Sequence, residues 1–101
     1  MVFEINEVEI AADEGEAFER AFAEAAPLLL QVRGCGSASL FRCIERPGTY
    51  QVRVGWERIE DHVEDYPTTE EADRIRALLL PLIRRARGAH FEEVPVPGAH
   101  P

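Results

Sequence analysis

An α+β fold with the ferredoxin-like βαββαβ order is predicted by three features of this 101-residue chain. Stretches of period two and period 3.6 follow one another as strand, helix, strand, strand, helix, strand. Glu45-Arg46-Pro47-Gly48 is turn chemistry joining the two middle strands, so these pair as a hairpin. Right-handed crossovers then put the helices on one face of a four-stranded antiparallel sheet and leave the other face bare.

Residues 2 to 10 read as the first strand, with Phe3 and Ile5 in one phase and Val8 and Ile10 in the other. A bulge near Asn6 or Glu7 is expected to reconcile them. Asp13 is placed to cap the first helix, with Glu16 reaching back three residues on. Phe18, Ala21, Phe22, Ala25, Leu28, Leu29 and Val32 form its buried stripe. Pro27 predicts a kink or restart, and Gly34 and Gly36 a stop. The second strand spans 37 to 45, with Leu40 and Ile44 on one side and Phe41 and Cys43 on the other.

Tyr50, Val52, Val54 and Trp56 alternate with Gln51, Arg53, Gly55 and Glu57, a third strand with one buried face. The period then changes. Ile59, His62, Val63 and Tyr66 share one face of a short helix whose other face carries Glu57, Glu60, Asp61, Glu64 and Asp65. Thr68, with Glu71 three residues later, predicts the cap of a longer helix buried through Ala72, Ile75, Leu78, Leu79, Leu82 and Ile83. Its early acids and late Arg84, Arg85 and Arg87 complement the helix dipole, and Gly88 ends it. A last strand is expected over 89 to 96, residues 1 to 96 forming one domain and 97 to 101 a flexible tail.

The net charge of -8 argues against a phosphate-binding surface and so against nucleic acid. No apolar run approaches the roughly 20 residues of a membrane span. The N-terminus carries neither a basic n-region nor an apolar h-region, so a cytoplasmic setting is expected. Cys35 and Cys43 are then expected to be reduced, and their spacing matches no zinc pattern, so no metal is expected. Apolar residues on both faces of the second strand predict that the bare sheet face is covered by a second copy in a symmetric homodimer.

The chemistry is concentrated between Tyr50 and Tyr66. Trp56 ends a strand and His62 lies about one and a half turns into the short helix that follows, an arrangement that suits a pocket mouth as well as a plugged core. His62 and His90 are the candidate proton-transfer residues, because an unperturbed imidazole titrates near neutrality. Surface ion pairing of His62 with Glu60 or Asp61 is the plainer alternative. Tyr50 and Tyr66 are candidate donors to a ligand oxygen, or else anchoring core tyrosines.

The run ERPGTYQVRVGWERIEDHVEDY, followed by LLLPLIRRARGAHFEEV, closely resembles the antibiotic biosynthesis monooxygenase family of dimeric α/β barrels. The marks are Glu45-Arg46-Pro47, Gly55 beside Trp56, His62 six residues after Trp56, Leu80-Pro81 and His90-Phe91-Glu92. The resemblance implies a homodimer that oxidises an aromatic or polyketide-like small molecule with dioxygen and without flavin, haem or metal, hence no cofactor. It puts Trp56 in the pocket wall. Several relatives have an asparagine four residues before that tryptophan, where this chain has Val52, and many have Phe-Arg where it has Tyr66-Pro67. A related haem-degrading branch carries an asparagine on strand one, which Asn6 matches, and an iron-binding histidine where Tyr66 stands. The implied substrate-binding set is therefore Trp56, Tyr50, Tyr66, Asn6 and Val52. The alternative from another class is a non-catalytic dimeric barrel that binds a small apolar ligand or a protein partner.

Overall fold

The structure, a computed structural model, describes residues 1–98. Its elements are β1 (Val2–Ile10), α1 (Gly15–Gln31), β2 (Cys35–Arg42), β3 (Thr49–Trp56), α2 (Glu70–Leu79) and β4 (Ile83–Glu92). The sheet order is β2-β3-β1-β4 with every neighbouring pair antiparallel, the expected ferredoxin-like arrangement. Val8, Ile10, Tyr50, Val52, Val54 and Trp56 are buried from the sheet against Phe18, Phe22, Ala25, Leu28 and Leu29 of α1 and Ile75 of α2. Phe3, Ile5, Phe41 and Phe91 stand on the opposite face, where they help to line a groove of about 410 Å³.

The expected bulge at Asn6 or Glu7 is absent. β1 pairs with β3 without interruption from Val2 opposite Trp56 to Glu9 opposite Thr49, and the one irregularity lies against β4 between Glu9 and Ile10. Phe3 and Ile5 are apolar because the second face of the sheet is apolar too, not because the strand turns over. Glu4 and Asn6 therefore share the helix-facing side with Val8 and Ile10.

The helix ends also depart from expectation. Asp13 lies in a 3-10 turn, Ala12–Glu14, and no side chain caps either that turn or α1. α1 continues through Pro27 without a restart, since burial of Ala25, Leu28 and Leu29 around it offsets the lost hydrogen bond. β2 begins at Cys35 and stops at Arg42, leaving Ile44 exposed. Thr69, not Thr68, caps α2, its hydroxyl accepting the Ala72 N–H at 3.1 Å. α2 ends at Leu79, and a 3-10 turn, Leu80–Leu82, leads into β4 at Ile83 rather than at 89. Pro81 lacks the N–H that would continue the α-helical ladder, so the chain tightens into this 3-10 turn before β4. Arg84, Arg85 and Arg87 thus sit on a strand, where Arg85 meets Glu9 at 3.6 Å, and they complement no helix dipole. Gly88 is mid-strand, opposite Asn6. Of the tail expected over 97 to 101, residues 99–101 lie outside the described residues.

Candidate functional site

The alternation of β1 puts two polar residues where the core would otherwise close. Between the sheet and the helices a cavity of about 160 Å³ remains, floored by Val8, Val52 and Val54 and covered by Phe18, Phe22 and Leu29 of α1 with Ile75 and Leu79 of α2. Ile83 and Ala86 form a side wall, and the polar residues of the lining are Glu4, Asn6 and Tyr66. Gly88 is needed for this arrangement, because any Cβ there would overlap the Asn6 carboxamide oxygen.

Glu4 is the centre of a hydrogen-bonded network. Its Oε2 accepts from Asn6 Nδ2 at 2.7 Å, and its Oε1 accepts from Trp56 Nε1 at 3.1 Å. His62 Nε2 lies 3.2 Å from the same Oε1, and His62 Nδ1 lies 2.7 Å from His90 Nε2. The His62 ring stacks on Trp56 with centroids 5.2 Å apart and planes 20° apart, and Tyr66 tilts against both rings. Burial pushes the His62 pKa down, opposed by the Glu4 carboxylate and reinforced by His90. Burial, with the same carboxylate, pushes the Tyr66 phenol up to about 12, so it stays a donor at neutral pH.

His62 reaches this position because the segment after β3 is not the regular helix the spacing suggests. Asp61–Asp65 form one turn of π-helix, closed by the Tyr66 N–H on the Asp61 carbonyl, and Tyr66–Thr68 follow as a 3-10 turn. The widened turn leaves Ile59 and Val63 exposed and buries Asp61, reversing the expected faces for these three residues. Asp61 accepts the Arg58 backbone N–H at 3.1 Å and its guanidinium at 2.9 Å, which holds its carboxyl below the usual range. Gly34, at φ 86°, passes so close that a Cβ would overlap the Asp61 side chain, and its carbonyl accepts the Glu57 N–H at 2.8 Å. The corner is thus pinned to the start of β2 immediately before His62.

Asn6, Val52 and Tyr66 line the cavity, while Trp56, His62 and His90 connect to it through Glu4. Tyr50 lies at the other end of β3. Its buried hydroxyl donates to Glu19 Oε2 at 2.6 Å, and Glu19 in turn holds Arg42 through two bonds of 2.8 and 2.9 Å. Sequence reasoning missed Glu4 altogether. The signal was present, since Val8 and Ile10 in phase with Glu4 and Asn6 place all four on one side. Among the described residues no group of three or more His, Cys, Asp or Glu is arranged to hold a metal ion, and no helix is long and apolar enough to cross a membrane.

A ferredoxin-like sheet with helices over one face and a mostly apolar cavity between the two layers defines a class of small-molecule-binding α+β protein. Within that class the chain belongs to the antibiotic biosynthesis monooxygenase family, whose model matches residues 1–78. It is 38% identical over 64 residues to the uncharacterised protein YczJ of Bacillus subtilis (strain 168), spanning 63% of this chain and 67% of that one. The solved structure of a protein from Bordetella bronchiseptica, assigned to the same family, superposes with a TM-score of 0.89 at 27% identity, covering 93% of this chain and 97% of its own. SnoaB, a cofactor-independent oxygenase from Streptomyces nogalater, superposes with a TM-score of 0.80 over 96% of each chain. At 15% identity that likeness is one of fold.

Proposed function

We propose that this protein is a cofactor-independent monooxygenase that oxidises a small electron-rich aromatic ring with dioxygen. The observation that carries this reading is an apolar cavity with a polar end of Glu4, Asn6 and Tyr66, beside which His62, paired with His90, stands 3.2 Å from Glu4. Such a reaction needs a phenol to lose its proton in surroundings that exclude water, because the anion itself must reduce oxygen. In a phenol-to-quinone conversion the substrate loses its O–H proton and a ring C–H becomes C=O. The second oxygen atom leaves as water, so the substrate supplies all four electrons. The proton leaves toward Glu4, the ionisable acceptor of the lining, which has the histidine pair beside it, and the Tyr66 hydroxyl hydrogen-bonds the developing ring oxygen.

The volume bears on the substrate class. A cavity of roughly 150 Å³ accommodates benzene, so the 160 Å³ here receives one aromatic ring, and a larger fused-ring substrate would extend through the open side. Val52 offers no polar group, but Asn6 is its direct cross-strand partner and presents a carboxamide to the same cavity. That supports catalysis over passive binding. The apolar groove formed by Phe3, Ile5, Phe41 and Phe91 supports a homodimer through the open sheet face, which a solution mass equal to one chain at micromolar concentration would refute. The enzyme reading is tested with metal- and flavin-free protein and a panel of monocyclic phenols and naphthols that carry hydrogen at the position to be oxidised. Oxygen uptake should exceed that in buffer, with the quinone as product. A panel that binds without accelerating uptake would leave the non-catalytic binding protein as the better reading.

A further inference from the structure

The protonation pattern of the His62–His90 pair depends on a carboxylate that no motif singles out. We propose that Glu4 is the positioning residue of the site: it holds His62 as the Nε2–H tautomer, so that Nδ1 accepts from His90, and it fixes which way the Asn6 carboxamide faces. The role in turnover rests on the oxygenase reading, whereas the tautomer assignment does not.

The geometry is one-sided. A carboxylate attracts an N–H and repels a nitrogen lone pair, so the Nε2–H form suits an imidazole nitrogen that stands 3.2 Å from Glu4 Oε1 as an ion-pair contact. Its other nitrogen, 2.7 Å from His90 Nε2, is then an acceptor facing a donor. Trp56 holds the carboxylate in place, because indole N–H can only donate and this ring is fully buried and stacked on His62. With Asn6 Nδ2 committed to Glu4 Oε2 at 2.7 Å, the amide oxygen turns toward Gly88, where the missing side chain leaves it room. When the histidine pair gains a proton, the imidazolium keeps its Nε2–H facing the carboxylate and the two charges compensate, the role a buried acid plays beside a catalytic histidine.

The ionisable groups around His62 are Glu4 from β1, His90 from β4 and Tyr66 from the 3-10 turn, with Cys35 of β2 acting on Glu4 and Tyr66. Glu4 is the group among them that draws the His62 pKa upward. Removing its charge should therefore lower the His62 midpoint, whereas a carboxylate that merely filled space would leave it in place.

Long-range 15N–1H correlation spectra of the substrate-free protein read the tautomer directly. Above its midpoint His62 should show a protonated, pyrrole-type Nε2 and a pyridine-type Nδ1, and the reverse pattern in the unmutated protein overturns the assignment without any variant. In Glu4→Gln the side chain can offer an N–H, so the Nδ1–H form should become populated and the midpoint should fall by about one unit. A folded E4Q protein with both features unchanged also overturns it. His90→Ala should keep the Nε2–H form, and its loss there would transfer the positioning role to His90. During turnover E4Q should lower kcat by about tenfold with little change in KM, the pattern of an interaction made in the transition state. A wild-type protein that consumes no oxygen would sink the oxygenase reading while leaving the spectra to decide the tautomer.

Discussion

β3 carries a buried aromatic residue at each end, and each sends its polar atom to a carboxylate on another element. At one end the Tyr50 hydroxyl and the Arg42 guanidinium share Glu19, and those bonds, Arg42 first, hold the Glu19 carboxyl below the usual range. The arrangement clamps α1 to the β2–β3 hairpin and has a permanent counter-ion. At the other end Trp56 and Asn6 hydrogen-bond Glu4 beside a cavity with His62 3.2 Å away, and among the described residues no arginine or lysine pairs with that carboxylate. A carboxylate already neutralised by arginine has no proton to exchange near neutral pH, whereas one bonded to histidine is a single proton away from an ion pair. The clamp is the more exposed end, with the Arg42 and Glu19 side chains 66% and 33% exposed against 20% and 17% for His62 and Glu4. The kind of partner, and access to an empty space, separate the clamp from the candidate site.

The sharpest way to break the comparison is at the site end. His62→Ala should lower turnover by at least about 100-fold if the histidine pair handles the proton, whereas Glu19→Gln at the clamp should leave oxygen uptake within about twofold. Equal losses would show that both ends are structural. Trp56→Ala should cost about 3–5 kcal/mol in denaturant unfolding, as a fully buried indole requires. Tyr50→Phe, which loses only a hydroxyl, should cost about 0.5–1.5 kcal/mol. Gly88→Ala forces a methyl onto the Asn6 oxygen and should weaken binding of a phenol probe about tenfold in titration, at a stability cost of about 1–3 kcal/mol.

The smallest effect is the pH response. Burial lowers the His62 pKa from its ordinary 6.5, so the unfolded chain binds the proton more readily than the folded one. The stability tied to neutral His62 is present above 6.5 and is lost as pH falls toward the folded value. The unfolding midpoint should therefore drop between about pH 7.5 and about pH 5 in the wild type, and drop less in His62→Gln. An equal drop in the two proteins would assign the response to other groups.

Much of the fold is legible in the chain, as β3 demonstrates: Tyr50, Val52, Val54 and Trp56 alternate as a buried face and are buried as one. Where the reading failed, two physical signals competed. Leu82 and Ile83 prolong the helical stripe of α2, yet Pro81 leaves Leu82 in a 3-10 turn and pairing with β1 makes Ile83 the start of a strand. Phe3 and Ile5 look like a misplaced core face because the reading assumed that only one side of the sheet is apolar. Asp61 looks like part of a solvated acidic face, and a π turn with Arg58 and Gly34 around it makes it a buried anchor.

By itself the sequence determined the order of the elements, the turn at Gly48 and the side chains that make the core, because periodicity and turn chemistry are local. It also placed Trp56 and His62 close together, since only five residues separate them. Only the tertiary structure decided that Glu4, Asn6, Trp56, His62 and His90 meet. Period two says which face of a strand a residue occupies but not what crosses from the next strand. The register that sets Glu4 opposite both Val54 and His90 is fixed by packing of the whole sheet.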